Sequence, residues 1–318
     1  MHAAHSNKRP QELDAPAAEE PVIRADLGPD ERFRRVLARL VALSERGYYN
    51  PYQLFQWPER LPEEQYWMSP ELMSVHGTSS GAGLTEAQFW QISKWESINF
   101  YSLNVHGIRE LLLEIVGRIH TPGFELPSEY FHHVIGEENE HMWFFATFCR
   151  KYAGKIYPSK SMKFPGTPSL ASGNLLVFSK LLILEEIVDF VNQAMASDDR
   201  LHPTIRQVNS VHHQDESRHI AFGRQIVAIL FEQFARKASP AELSEVDLYL
   251  CRYIESSLDS FCTPAVFRDA GIRNYFKFRA AVLADPAYHE LRSRISKRPT
   301  SFLGDLGVIG RNGADPHD

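Results

Sequence analysis

The chain has 318 residues, 43% of them hydrophobic, which is enough for a substantial core in one or two domains. Its 34 basic and 40 acidic side chains give a net charge of −6 without a long basic block, which argues against a nucleic-acid partner. No run approaches the roughly 20 apolar residues that cross a bilayer, and three scattered cysteines indicate neither disulfides nor a thiolate metal site. We therefore expect a cytoplasmic protein without a membrane segment.

The N-terminal part of the chain changes character near residue 28. Residues 1–27 are rich in alanine, proline and glutamate and predict a disordered arm. Residues 30–46 repeat apolar side chains at steps of three and four, which predicts an amphipathic helix, and the prolines and aromatics of residues 48–67 predict an ordered loop. We expect one helical domain over residues 28–303 and a C-terminal tail over residues 304–318.

The centre of the chain, about residues 85–236, consists of long periodic segments separated by turn signals. The segments are 85–120, 127–152, 172–196 and 203–236, followed by two shorter ones at 242–261 and 267–283. No alternating strand pattern is visible in the sequence. The predicted class is all-α, a four-helix bundle built from two hairpins with additional flanking helices.

The second long helix contains a glutamate and a histidine on its apolar stripe. Glu138 and His141 are three residues apart, between Val134 and Phe145 on the same face. Burying such groups without partners costs several kcal/mol, and a bound metal ion removes that cost. On its own this motif is also explained by a hydrated edge or by a hydrogen bond between the two side chains.

The third and fourth helices add more groups of the same kind. His212, Glu216 and His219 form one column on the fourth helix, because they stand at i, i+4 and i+7. Glu185 lies on the apolar stripe of the third helix. Two Glu-x-x-His motifs thus face further buried carboxylates.

Residues at one depth of an antiparallel hairpin are equally far from its turn. Glu185 and Glu216 share a midpoint in the loop at Arg200, and Glu110 and Glu138 share one at Phe124. Glu96 is on a similar face but would lie roughly 20 Å deeper. We therefore prefer Glu110 as the carboxylate of the first helix and keep Glu96 as the alternative.

These residues together predict a dinuclear metal centre. One Glu from each of two helices with Glu-x-x-His from the other two is the arrangement of di-iron and di-manganese carboxylate proteins. Mixed oxygen and imidazole ligands without thiolates favour two iron ions, with manganese as the alternative, over structural zinc. The predicted ligands are Glu110, Glu138, His141, Glu185, His212, Glu216 and His219.

Several neighbouring residues have other interpretations. Glu129 and His132 repeat the Glu-x-x-His spacing, but His132 is on the opposite side of the helix from His141. Glu137, Glu140 and His213 are next to the predicted ligands in sequence, but we expect their side chains to point away from the metal centre. For Glu137 and Glu140 we expect a hydrated face. Asp189 and Asp215 are expected either to accept hydrogen bonds from ligand imidazoles or to form simple ion pairs.

The order of ligands resembles that of the AurF-type di-iron arylamine N-oxygenases over about residues 85–236. His212, one turn before the last Glu-x-x-His, carries the resemblance, because ordinary ferritin-like di-iron proteins have two histidines. Two departures concern spacing. The number of residues between the first and second ligands is smaller than in the family if the first ligand is Glu110 and larger if it is Glu96. The segment between His141 and Glu185 is shorter than in the family.

The resemblance implies a ferritin-like fold, a di-iron cofactor and O2 as co-substrate. It implies oxygenation of a small aromatic amine to a hydroxylamine, nitroso or nitro compound in a biosynthetic pathway, an external electron donor of the ferredoxin or reductase type, and a homodimer. The alternatives are a di-iron hydroxylase or desaturase acting on C–H bonds and a non-enzymatic ferritin-like iron-binding protein. The chain is longer than a storage bundle requires, which favours a substrate pocket.

Overall fold

The computed structural model describes residues 30–159 and 172–310, so the predicted N-terminal arm lies outside the described residues. Its helices are α1 (Glu31–Gly47), α2 (Pro51–Leu54), α3 (Glu86–Val116), α4 (Ser128–Ala153), α5 (Gly173–Ser197), α6 (Pro203–Ala235), α7 (Pro240–Phe261), α8 (Pro264–Asp269), α9 (Tyr275–Leu283) and α10 (Pro286–Leu306). Two short 3₁₀ turns, Pro70–Leu72 and Gly81–Gly83, precede α3. No strand occurs among these described residues.

Two antiparallel hairpins form the bundle, α3 with α4 and α5 with α6. Helix α1 packs across α4 and α6, and α10 covers the outer side of α5. Apolar side chains from all four long helices are fully buried between them, including Phe100, Phe145, Ile183 and Ile226. The prediction of an all-α, ferritin-like four-helix bundle with flanking helices is confirmed.

The turn between α3 and α4 shows why α3 is shorter than predicted. A capping box between Thr85 and Gln88 starts the helix, which ends at Val116 instead of continuing to His120. His120 has a positive φ of 56°, a conformation that interrupts a helix. Its backbone N–H donates to the Ser128 hydroxyl at 2.8 Å, so the turn is fixed to the first residue of α4.

The C-terminal third of the chain differs most from the prediction. The single helix expected over 267–283 is two helices, α8 and α9, because Gly271 and Asn274 take positive φ values of 76° and 52° between them. Helix α10 was not predicted. It is capped by Asp285 and runs to Leu306, three residues past the predicted end of the domain. None of the described helices has the length and apolar character to cross a membrane.

A glycine sets the approach of α3 to α5. A Cβ added at Gly107 would come within 2.4 Å of Leu184 Cδ2 on α5, whereas a Cβ at Gly136 on α4 meets nothing within 4 Å. Both glycines are inside helices, where alanine is favoured by about 0.5–1 kcal/mol. We expect Gly136→Ala to stabilise the fold. Relative to Gly136→Ala, Gly107→Ala should lower the free energy of unfolding by about 1–3 kcal/mol because Leu184 must move. Equal denaturation midpoints for the two variants would contradict this close approach.

Candidate metal centre

Four side chains from two helices meet in the bundle core. Helix α4 contributes Glu138 and His141, and α6 contributes Glu216 and His219. One ligand atom of each lies within 4.8 Å of the others, and all four residues are buried. This is the pair of Glu-x-x-His motifs that the helical spacing predicted, brought to one depth by the packing of α4 against α6.

The distances within this group show that the four side chains surround one small space. His219 Nδ1 lies 2.8 Å from Glu138 Oε1 and 3.3 Å from Glu216 Oε2. His141 Nδ1 lies 3.5 Å from Glu138 Oε2 and 3.4 Å from Glu216 Oε1. Both imidazoles therefore direct Nδ1 toward the same two carboxylates.

Two further predicted residues join at the edge of the group. His212 Nε2 lies 2.8 Å from Glu216 Oε1, and its Nδ1 lies 2.5 Å from the side-chain amide nitrogen of Asn192. Glu185 on α5 lies close enough to Glu216 and Glu138 for their charges to act on its carboxyl group. Burial, and then the charges of Glu216 and Glu138, raise the pKa of Glu185 well above its usual range. Three buried carboxylates in contact need a cation to be ionised together.

The hydrogen bonding tests whether these residues fit a metal centre. The buried atoms that would face the metal have no hydrogen-bond partner: both carboxylate oxygens of Glu138 and Glu216, Nδ1 of His141 and His219, and Nε2 of His212. Such atoms are costly in a folded protein unless a ligand satisfies them. Metal ions bound by imidazole and carboxylate would satisfy all of them at once, so the residues fit a di-iron or iron-manganese group.

Acidic residues hold the outer nitrogens of two imidazoles. His141 Nε2 donates to Asp215 Oδ2 at 2.9 Å, and His219 Nε2 donates to Glu137 Oε2 at 2.7 Å. With the outer nitrogen protonated, Nδ1 of each ring keeps its lone pair for a metal ion. Asp215 thus lies against the outer nitrogen of His141, the position expected of an acceptor for a ligand imidazole.

One arginine joins these two acceptors. Arg218 donates from Nη2 to Glu137 Oε1 and to Asp215 Oδ1, both at 2.6 Å. The Tyr49 hydroxyl also donates to Asp215, at 3.0 Å. Burial opposes ionisation of Asp215, but the hydrogen bond from His141 and the charges of His141 and Arg218 outweigh it and lower the pKa of Asp215 to about 2.

One expectation about neighbouring residues is corrected, for Glu137, and Asp189 takes the second of its two expected roles. Glu137 does not lie on a hydrated face, since it is the acceptor for His219 and Arg218. Asp189 accepts from His213 Nδ1 at 2.5 Å and from Arg298 at 3.0 Å, so it forms ion pairs instead of supporting a candidate ligand. Sequence spacing could not find Arg218 or Tyr49, because their role depends on how α6 faces α4 and on the path of the loop after α1.

Glu110 lies outside the cluster of ligand atoms. It is exposed, and the buried α3 residues beside it are Ile108 and Leu111. Glu110 lines a cavity between α3, α5 and α7. The structure thus unites six of the seven predicted ligands and places the seventh, Glu110, on another side of α3.

Glu96, the alternative first ligand, is buried in a different part of the bundle. The Ser74 backbone N–H donates to Glu96 Oε2 at 3.1 Å, and the Ser74 hydroxyl donates to Oε1. Tyr288 of α10 and Leu258 of α7 line the small cavity beside it. Burial raises the pKa of Glu96 to about 7, although the Ser74 hydrogen bonds act in the opposite direction.

The raised pKa of Glu96 predicts that this carboxyl group makes the stability of the fold depend on pH, and that Glu96→Gln removes this contribution. The folded protein holds the Glu96 proton up to about pH 7, whereas the unfolded chain releases it near 4.5. The carboxyl group therefore lowers stability progressively as pH rises from about 4.5 to 7. We expect Glu96→Gln to gain about 1–3 kcal/mol over the natural protein at about pH 8 and little at about pH 4. Urea denaturation at both pH values measures this, and an equal difference at both would contradict a buried neutral carboxyl group.

Aromatic rings close the centre on the side of α4. Phe144 packs against His141 with ring centroids 5.5 Å apart, and Phe145 packs against His212 at 4.8 Å. Both phenylalanines are fully buried. They keep bulk water away from the imidazoles, which a site for a reactive oxidant requires.

Comparison with known proteins identifies a related family. Residues 30–307 match the sequence profile of the family described as p-aminobenzoate N-oxygenase AurF. This match spans the whole bundle and the flanking helices, including α10. No match appears among curated protein sequences.

Solved structures with a similar arrangement are R2-like ligand-binding oxidases. One, a variant with an anaerobically reconstituted Mn/Fe cofactor, has 13% identity and a TM-score of 0.43 and aligns over 81% of this chain and 93% of its own. Another, with an aerobically reconstituted Mn/Fe cofactor, has 12% identity and a TM-score of 0.43 over 85% of this chain and 95% of its own. These likenesses are too weak to support a functional argument.

Proposed function

We propose, from the premise that the chain belongs to the AurF p-aminobenzoate N-oxygenase family, that this di-iron oxygenase adds oxygen to the nitrogen of a small arylamine. The observation that carries the proposal is the third imidazole, since His212 Nε2 lies 2.8 Å from Glu216 Oε1, at the edge of the group formed by the two Glu-x-x-His motifs. Two iron ions bound there would supply the activation of O2. The ligands we propose for them are Glu138, His141, Glu185, His212, Glu216 and His219.

The residues of this chain prepare the site in three ways. Glu138 and Glu216 present both of their oxygens to the centre. Asp215 and Glu137 accept hydrogen bonds from the outer imidazole N–H groups, so that His141 and His219 present lone pairs inward. Phe144 and Phe145 exclude water beside the imidazoles. These residues would hold the metal ions, and the phenylalanines would keep water from reacting with the oxidant that the ions supply.

The reaction needs a source of electrons beyond the substrate. Insertion of one oxygen atom of O2 into an N–H bond gives a hydroxylamine, and reduction of the other atom to water takes two electrons and two protons. We propose an external donor of the ferredoxin or reductase type for these electrons. A homodimer is a further proposal.

An experiment with isotopically labelled O2 tests the reaction type. The protein is loaded with Fe(II) without oxygen, reduced, and exposed to labelled O2 with a panel of aminoarenes. We expect label on the nitrogen, detected by mass spectrometry as a hydroxylamine, nitroso or nitro product. Label on carbon, or a new double bond, would favour the hydroxylase or desaturase instead. Uptake of many iron atoms per chain without product would indicate iron storage.

A further inference from the structure

A cavity of about 400 Å³ lies between α3, α5 and α7. This volume falls in the range of about 300–1,000 Å³ that is usual for small-molecule sites. The α5 residues Leu184 and Val188, on either side of Glu185 in sequence, are part of its wall, as are Phe100 and Tyr253. Burial, then the charge of Glu110 and, more weakly, that of Glu185, raise the pKa of Tyr253, so this ring lies near both carboxylates. The cavity therefore adjoins the metal centre on the side of Glu185.

Two opposite charges line this cavity without an ion-pair partner among the described residues. Glu110 on α3 and Lys180 on α5 take part in no ion pair within 4.0 Å among residues 30–159 and 172–310. Of the other charged groups of the wall, Asp259 forms an ion pair with Arg292, and Arg279 forms no ion pair within the described part of the chain but is held through Nε to the Cys262 carbonyl. Glu110 and Lys180 are thus the two wall charges without a hydrogen bond or ion pair to any described residue, and we take them as the charges that a ligand uses.

The helix register places the two charges at one depth. Arg118 Nε donates to Asn174 at 2.9 Å, and Gly107 faces Leu184, so α3 and α5 run antiparallel in a fixed register. In that register Glu110 is level with residues 181–182, which is one to two residues from Lys180. Along the axis, Glu185 is three to five residues from the level of these two charges, which is roughly 5–8 Å. A ligand held by both charges could extend toward Glu185.

We propose that this cavity binds a substrate with an amino-acid head group, in which Lys180 holds the carboxylate, Glu110 holds the ammonium group, and an aromatic portion extends toward Glu185. A simple aminobenzoate would gain Lys180 but would be opposed by Glu110, because both groups are negative. A simple amine would gain Glu110 and be opposed by Lys180. Only a zwitterion uses both charges.

This inference rests on the proposed function in one respect: the group that reacts would be a second nitrogen, on the aromatic ring at the far end of the substrate. Binding of the head group can be tested without any reaction. Three probes share a phenyl ring and differ in charge: L-phenylalanine, 3-phenylpropionate and phenethylamine. We expect iron-loaded protein to bind L-phenylalanine about threefold to tenfold more tightly than either singly charged probe, as partly exposed ion pairs allow. Isothermal titration calorimetry measures the three affinities.

Charge-neutralising variants assign each half of the head group. Glu110→Gln should reduce L-phenylalanine affinity to that of 3-phenylpropionate, and Lys180→Met should reduce it to that of phenethylamine. Glu129→Gln on α4 and Lys237→Met after α6, both at exposed positions, are matched controls that should bind like the natural protein. Equal affinity for the three probes, no binding of L-phenylalanine, or unchanged binding by both cavity variants would overturn the proposal.

Iron content separates this inference from the other roles of Glu110. The proposal expects Glu110→Gln to retain the iron of the natural protein. If Glu110→Gln loses iron, Glu110 is a metal ligand and the head-group assignment is wrong. Nitrogen oxygenation of aminoarenes in the labelled-O2 experiment would stand in either case, so failure of the binding proposal does not imply failure of the proposed function.

Discussion

His219→Ala is expected to lose at least one of about two metal ions per chain together with the oxygenase activity. His219 Nδ1 contacts both Glu138 and Glu216, so its removal leaves those two buried carboxylates without an imidazole between them. Since loss of a group that merely orients a ligand costs about 10–100-fold, loss of this ligand should lower activity by at least about a hundredfold. Metal analysis and single-turnover assays on the same samples measure both effects.

His132→Ala is the matched control for this prediction. His132 forms the same Glu-x-x-His spacing with Glu129, but it is exposed. Its Nε2 lies 3.0 Å from Nε2 of His120. We expect unchanged metal content. Equal metal loss in the two variants would mean that the centre is not where α4 meets α6.

His212→Ala is expected to keep the fold and much of the iron but to lose oxygen transfer or its coupling to O2 consumption. His212 contacts Glu216 alone among the clustered carboxylates, whereas His141 and His219 each contact two. Its loss changes the donor set of one ion without removing a Glu-x-x-His motif. Product formed per O2 consumed should fall by about tenfold or more. Normal product yield would show that His212 is not a functional ligand and would favour the hydroxylase interpretation.

Much of the metal centre could be predicted because helical spacing and hairpin geometry are strong constraints. The positions of Glu138, His141, Glu216 and His219 followed from their periodicity, and Glu185 followed from its distance to the turn at Arg200. Depth in a bundle is set by a rise of about 1.5 Å per residue, which the sequence determines once the turns are located.

Rotation of a helix about its axis is harder to predict from sequence when apolar residues surround it. The segment around Glu110 has Ile108, Leu111, Leu112 and Leu113 within three residues, so more than one face could be buried. In the structure Ile108 and Leu111 face inward while Leu113 and Glu110 are exposed. The same limit applies to Glu137, whose contact with His219 depends on the α4–α6 packing.

The shared contacts of Arg218 make the two halves of the metal centre interdependent. Asp215 holds the ring of His141, Glu137 holds the ring of His219, and the guanidinium group binds both carboxylates. A disturbance at either imidazole is therefore transmitted to the other through a single cation. Loading of the first ion should orient the ring that receives the second, so metal uptake by this protein should be cooperative, with singly loaded chains rare at equilibrium.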